Sequence, residues 1–264
     1  QPVGAARPVI ALSVNLNKVA LLRNARPGHH PSVVDAARVA IAAGARGITV
    51  HPRPDQRHIR PEDVMALSAL LRSDFPGIEF NIEGNPNAGP NPGGYPGFSE
   101  LVTQAKPDQV TLVPDSDDQL TSDHGWDLSQ KRPELARTIE LFQDLGARVS
   151  LFLDPEPALV DAAQAHGADR IELYTGPYAQ AFWTRGIAGA QALLDQYVRT
   201  AQRAQELGGG VNAGHDLDQE NLLPFRRLPG LLEVSIGHAL ICDALASGFA
   251  ETVARYVRIL DTED

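Results

Sequence analysis

The chain has 264 residues, 43% of them hydrophobic, and a formal net charge of −10 at neutral pH. That charge excludes a nucleic-acid partner and an anionic membrane surface, which both select a basic face. The single cysteine, Cys242, excludes a disulfide framework and a Cys-rich zinc site. Cys242 is expected to be buried on an apolar helix face. No apolar run reaches the roughly 18 residues of a membrane-crossing helix. Residues 1–7 lack the charged and apolar regions of a signal peptide and read as an N-terminal extension, so the compartment is expected to be the cytoplasm. The length suits one domain, residues 1–264, of the barrel class, which averages about 250 residues.

Eight short apolar runs punctuate the chain, at residues 9–15, 47–53, 78–83, 109–114, 148–154, 170–175, 210–215 and 232–238. Segments of helical spacing separate them. Strand then helix, repeated in this way, predicts a (β/α)₈ TIM barrel, whose catalytic groups sit at the carboxyl ends of the strands. A Schiff-base lysine would have to sit there too. Only Lys18, on a loop, lies near that face; Lys106 precedes strand 4 and Lys131 sits on a polar helix.

Strand 1 ends at Asn15 and leads through Asn17 and Lys18 to Arg26. Pro31 then opens a helix that runs to Ala43, with Gly44 placed to end it. Strand 2 ends in His51 and Arg53, with His58 close behind. Side chains two apart share a face of a strand. A histidine there can move a proton near neutral pH, and an arginine can grip a phosphate with its fork of donors. Pro61-Glu62-Asp63 starts the next helix. Strand 3 ends at Glu83, where apolar neighbours would raise the carboxyl pKa and suit it to giving and taking protons.

Residues 84–97 are too rich in Pro and Gly for helix or strand, and read as a lid, an oligomer contact or an ordered surface loop. A loop with Thr121 and His124 follows strand 4, and a helix covers residues 133–145. Glu172 on strand 6 is either a further interior acid or the partner of an arginine. An amphipathic helix spans residues 191–207, and the last helix runs from about Ala239 to Leu260. Strands 7 and 8 end in Gly214-His215-Asp216 and Gly237-His238. Barrels bind phosphate between these two loops on backbone amides and a helix N-terminus, and glycine lets the backbone approach. His29, His30, His124 and His166 are expected to be solvated.

Together these residues resemble the pyridoxine 5′-phosphate synthase family. The resemblance runs from about Leu12 to the last helix. It is carried by Val14-Asn15 and by residues 22–26, 47–51, 57–59, 112–114, 149–152, 211–215 and 236–239. It implies the ring-forming step of vitamin B6 synthesis. There 1-deoxy-D-xylulose 5-phosphate and 3-amino-2-oxopropyl phosphate condense to pyridoxine 5′-phosphate, with release of phosphate and water. It also implies a TIM barrel with extra helices, a homo-octamer, and no metal or other cofactor.

Carried over by position, the acid–base residues are His51, Glu83 and His215. The substrate contacts are Asn15, Arg26, Arg53, His58, Thr121, Gly237 and His238. Two departures mark a variant branch. Asn17-Lys18 stands where the resemblance places an Asp-His pair that contacts the sugar phosphate, so both are expected substrate contacts, and Lys18 can add a phosphate charge. Asp216 replaces a common glycine; its backbone amide keeps the substrate contact while its carboxylate must turn away. The main rival is another phosphate-binding barrel, an isomerase or lyase acting on a sugar phosphate, which needs only one phosphate pocket. A metal-dependent hydrolase would want His-x-His after strand 1, where Asn15-Leu16-Asn17 stands.

Overall fold

The computed structural model describes residues 9–262, so the extension expected at residues 1–7 lies outside the described residues. Its strands are β1 (Ala11–Asn15), β2 (Gly47–Val50), β3 (Glu79–Gly84), β4 (Gln109–Leu112), β5 (Arg148–Leu153), β6 (Arg170–Tyr174), β7 (Gly210–Gly214) and β8 (Leu231–Ile236). They close in sequence order into one parallel barrel, with β8 paired back onto β1. Each expected run overlaps one strand, β3 reaching one residue past its run and β8 starting one residue before it.

The strands alternate with period two. Leu12, Val14, Ile48, Val50, Val110, Leu112, Ile171, Leu173 and Val234 are buried in the apolar layer between sheet and helices. The alternate positions turn into the barrel, and most are polar. Ser13 Oγ and Thr49 Oγ1 share a hydrogen bond of 2.7 Å. Asn81 Nδ2 donates to Thr49 Oγ1 at 3.2 Å, and Thr111 Oγ1 donates to Asn81 Oδ1 at 3.0 Å. At the foot, Gln109 Nε2 donates to Glu233 Oε1 at 3.2 Å, and Gln109 Oε1 accepts from Asn212 Nδ2 at 3.1 Å. The interior is thus a hydrogen-bonded polar belt where many barrels stack branched apolar side chains.

The helices are α1 (Asn17–Asn24), α2 (Val33–Ala42), α3 (Pro61–Asp74), α4 (Phe98–Ala105), α5 (Pro133–Asp144), α6 (Pro157–Ala165), α7 (Gly176–Glu206), α8 (Leu222–Phe225), α9 (His238–Ser247) and α10 (Phe249–Asp261). Several differ from expectation. Lys18 is on α1, not on a loop. Lys131 precedes α5 instead of lying on a helix. Ser32, not Pro31, opens α2, its Oγ accepting the Asp35 N–H at 3.1 Å. The helix expected at residues 191–207 is the second part of α7, which starts at Gly176 and breaks at Gly186. The last expected helix is two, α9 and α10, separated at Gly248, whose φ of 79° is a left-handed value that glycine adopts without a Cβ penalty. Cys242 is exposed, not buried. Leu240 is the buried residue of α9, and two helical steps turn Cys242 to the opposite side. His166 is half-buried, its Nε2 accepting the Arg132 N–H at 3.0 Å.

One buried ion pair fixes the loop between β2 and α3. Arg23 on α1 donates to both carboxylate oxygens of Asp63 and, from Nη2, to the His58 carbonyl at 3.1 Å. Asn24 Nδ2 donates to the same carbonyl at 2.8 Å. Asp63 also accepts the Arg60 N–H at 2.8 Å, which caps α3. Removing one partner of a buried pair leaves an uncompensated charge. Asp63→Asn is therefore expected to lower unfolding stability by about 3 kcal/mol in a denaturant titration. A loss below about 1 kcal/mol would mean that the pair does not hold this loop.

Candidate active site

His51 lies one residue past β2 and Glu83 near the end of β3; both are buried. The His51 backbone N–H donates to Asn17 Oδ1 at 2.9 Å, and the Asn17 N–H donates to Asn15 Oδ1 at 2.9 Å. Two of the expected substrate contacts thus also set where the histidine stands. His51 Nδ1 is 3.9 Å from Glu83 Oε2. Burial, then the nearby Asp115 and Glu233 charges, push the Glu83 carboxyl up to about 8, against Arg53 and a hydrogen bond from Ser235. Burial, joined by Arg53, His58, His215 and Arg57, pushes His51 well below the usual histidine range. At neutral pH the pair is a carboxylic acid facing an uncharged imidazole: a proton donor beside a proton acceptor.

Arg53 is buried, and its Nη2 donates to Asp115 Oδ2 at 2.7 Å. Ser122 Oγ donates to the same oxygen at 2.6 Å. Arg57 donates to the carbonyls of Asp117, Gln119 and Leu120, tying down the loop that carries Thr121. Thr121 itself is exposed. His58 Nδ1 accepts the Ile59 N–H at 2.8 Å, which leaves Nε2 as the N–H donor. Burial, then Arg53, Lys18 and Arg57, push His58 down to about 3, so at neutral pH its ring is an uncharged donor.

His215 follows β7, its ring 5.0 Å from that of Phe152 and 5.7 Å from that of Tyr174, centre to centre. Burial lowers its pKa against the pull of Asp216 and Asp115. Thr175 Oγ1 donates to the carbonyls of Gly214 and His215. His215 and Asp216 both have positive φ, 83° and 58°. A positive φ at the second position is one that glycine adopts most easily. Aspartate is among the few other residues that tolerate this conformation, and Asn221 Nδ2 secures the Asp216 carbonyl at 3.0 Å.

Glu172 resolves as an interior acid and not an arginine's partner. Its Oε2 is buried with no hydrogen-bond partner among the described residues. Burial, then Glu83 and Glu233, raise its pKa well above the carboxylate range. Gly214 leaves room for it: a Cβ there would lie 2.3 Å from Glu172 Oε1. Across the mouth, Gly237 precedes α9 and packs on Asn15, where a Cβ would lie 3.0 Å from the Asn15 Cβ. His238 is exposed on the first turn of α9, and Lys18 is half-buried. Arg26 is exposed past α1 and makes no hydrogen bond to the other site residues among those described. Asp115, Ser122, Ser235 and Glu233 were not anticipated. Among the described residues, no three His, Cys, Asp or Glu side chains are grouped to hold a metal ion.

A parallel barrel with acid–base side chains and glycine-flanked amides at the carboxyl ends of its strands defines a barrel enzyme for small phosphorylated substrates. Solved structures of similar fold include 3-hexulose-6-phosphate synthase from Salmonella typhimurium, with TM-score 0.58 and 17% identity over 95% of this chain and 98% of that one. Thiamine phosphate pyrophosphorylase from Pyrococcus furiosus has TM-score 0.58 and 12% identity, covering 96% of each chain. These two likenesses speak to the fold alone. Sequence is more specific: residues 12–262 match the family described as pyridoxal phosphate biosynthesis protein PdxJ, and the chain belongs to it. The pyridoxine 5′-phosphate synthase of Xanthomonas axonopodis pv. citri (strain 306) is 58% identical over 250 residues, 94% of this chain and 96% of that protein. That of Xylella fastidiosa (strain 9a5c) is 53% identical over 252 residues, 95% of each.

The raised Glu83 pKa makes a statement about stability. Between the ordinary 4.5 and about 8, folded Glu83 keeps a proton that the unfolded chain has released, so its contribution to stability falls as pH rises through that window. Glu83→Gln removes the titration and keeps the volume. The variant is expected to match the parent near pH 5 and to exceed it above pH 8 by something on the order of 2–5 kcal/mol, read as denaturant midpoints. An equal difference at both pH values would contradict a buried, protonated Glu83.

Proposed function

We propose that this chain is a pyridoxine 5′-phosphate synthase. It joins 1-deoxy-D-xylulose 5-phosphate to 3-amino-2-oxopropyl phosphate and releases phosphate and water as the pyridine ring closes. Within the family match, the observation that carries this reading is the neutral His51–Glu83 pair, 3.9 Å apart, beside the buried Arg53. Imine formation moves a proton off the attacking nitrogen and expels the ketone oxygen as water. Elimination takes a proton from carbon as phosphate departs. An acid beside a base serves both steps. The overall conversion is redox-neutral.

Arg53, His58 and Thr121 hold the phosphate that leaves. The amides around Asp216, Gly237 and His238, flanked by Asn15 and Lys18, hold the phosphate that stays, at the start of α9. His51 and Glu83 shuttle protons through imine formation and elimination. His215 serves a later proton transfer or ring closure. Glu172, uncharged, supports the acid at the mouth. Arg26 on the rim adds positive potential that draws phosphates in. Asn17 acts chiefly through His51, whose backbone it holds. We read the chain as one domain that works as a homo-octamer in the cytoplasm. Exposed Leu22, Trp183, Leu223 and Leu245 provide apolar surface for assembly, and no described helix is long and apolar enough to cross a membrane.

Mixing the chain with both substrates, with no metal added, is expected to generate the pyridoxine chromophore. The two-phosphate arrangement has its own test. Arg53→Ala is expected to raise the Kd of the pentulose phosphate roughly 10–150-fold, the loss of a charge-assisted hydrogen bond. The Kd of the amino-ketone phosphate should stay within about 2-fold. Separate titrations read both. Equal weakening of the two would mean one shared phosphate pocket, as in a sugar-phosphate isomerase.

A further inference from the structure

The loop between β4 and α5 carries a buried acid that the proposed reaction does not use. Asp115 is 3% exposed, and among the described residues its Oδ2 is the acceptor of the one hydrogen bond that Arg53 makes. A guanidinium has five N–H donors, so the rest of the fork remains for a ligand. Ser122 Oγ converges on the same oxygen from the middle of the loop. Ser122 is the neighbour of Thr121, the second group assigned to the departing phosphate.

Asp115 also stands where three loops are tied together. Its backbone carbonyl accepts Asn85 Nδ2 at 2.8 Å, at the start of the Pro/Gly-rich segment. That segment is joined to the β2–α3 loop by Asn91 Nδ2 to the Pro54 carbonyl and by Gln56 Nε2 to the Gly93 carbonyl, both 2.7 Å. The far end of the β4–α5 loop is pinned by Trp126, whose Nε1 donates to the Leu112 carbonyl at 2.8 Å. The carboxylate therefore sits on a fixed frame, and its charge is felt at Glu83 on one side of the mouth and at His215 on the other.

We propose that Asp115 is a positioning residue for phosphate recognition: it holds one edge of the Arg53 guanidinium and, through Ser122, the Thr121 segment, so that both grips on the departing phosphate are assembled before substrate arrives. A flexible arginine would have to be immobilised on binding, and a side chain fixed in advance avoids that entropy loss. Asp115 touches no substrate in this scheme. It acts through Arg53, and it rests on the reading that Arg53 binds the pentulose phosphate.

A double-mutant cycle tests this. Asp115→Asn keeps shape and removes the charge. It is expected to raise the Kd of the pentulose phosphate roughly 10-fold to 100-fold and to leave the amino-ketone phosphate within about 2-fold. Asp115→Glu should recover part of the loss. In an Arg53→Ala background, Asp115→Asn should cost no more than the roughly 2-fold to 10-fold that the Ser122 arm carries, well short of its effect in the parent. Ser122→Ala, which removes only the second hydrogen bond, should weaken the same substrate about 2-fold to 10-fold, and it keeps the test available if Asp115→Asn does not fold. Additive effects in the cycle, equal weakening of both substrates, an unchanged Ser122→Ala or tighter binding by Asp115→Asn would each overturn the proposal; the last would make Asp115 a competitor of phosphate. If Arg53→Ala alone is not selective, the functional reading fails first. If it is selective and Asp115→Asn is not, only the positioning role fails.

Discussion

Carboxyl groups buried inside the barrel are the constraint on which the rest of this structure turns. An ionised carboxylate loses several kcal/mol of hydration on burial, so each must be paired or hold a proton. The three interior acids meet that demand differently. Glu233, at the foot, lies 3.7 Å from Arg170 and 3.9 Å from Arg148 and accepts from Gln109, and it is pushed up only to about 7. Glu172, midway, has no cation paired with it among the described residues. Glu83, at the mouth, feels Arg53, but Asp115 already neutralises that cation. A proton is the remaining way to bury Glu83, and a protonated carboxyl beside a neutral imidazole is what imine chemistry at neutral pH calls for.

Fixing such a pair needs a frame that does not relax around the charge. Hydrogen bonds among Ser13, Thr49, Asn81 and Thr111 hold the strands that carry Asn15, His51 and Glu83 in register. The ion pair of Arg23 with Asp63 pins the loop after β2 from outside. Glycines make the interior fit. A Cβ at Gly47 would meet Ser13 Oγ at 2.8 Å, and one at Gly214 would meet Glu172. The Pro/Gly-rich segment after β3 belongs to this frame. Its Tyr95 is buried, and its asparagines bond to the loops on either side, so it is an ordered, packed connection.

Strand ends were legible in the sequence because a parallel strand buried on its outer face must be apolar, and the first polar residue beyond it marks the mouth. His51 and His215 fall out of that rule directly, and Arg53, Glu83 and Gly237 lie within three residues of their strands' carboxyl ends. Asp115 did not, because it opens the acidic run Asp115-Ser116-Asp117-Asp118, which reads as a solvated turn. Only the first of those acids is buried, and it is buried by Arg53, 62 positions earlier in the chain. Glu233 and Ser235 were hidden differently: they sit inside an apolar run, on its alternate face. The period-two polar series Ser13/Asn15, Thr49/His51, Asn81/Glu83, Gln109/Thr111 and Glu233/Ser235 was available as a signal, but it declares itself only once both strand faces are taken as separate environments. The break at Gly248 was missed because a glycine within a helical pattern is compatible with continuation or arrest, and tertiary packing decides which.

The central claim, that burial keeps Glu83 protonated at neutral pH, can be read directly from the carboxylic-acid C=O stretch in the infrared difference between the parent chain and Glu83→Gln. Titrated from roughly pH 4 to pH 10, the Glu83 band is expected to be present at pH 7 and to vanish with a midpoint near the pKa of about 8. A band that has already disappeared by about pH 5, the behaviour of an ordinary glutamate, would contradict the account.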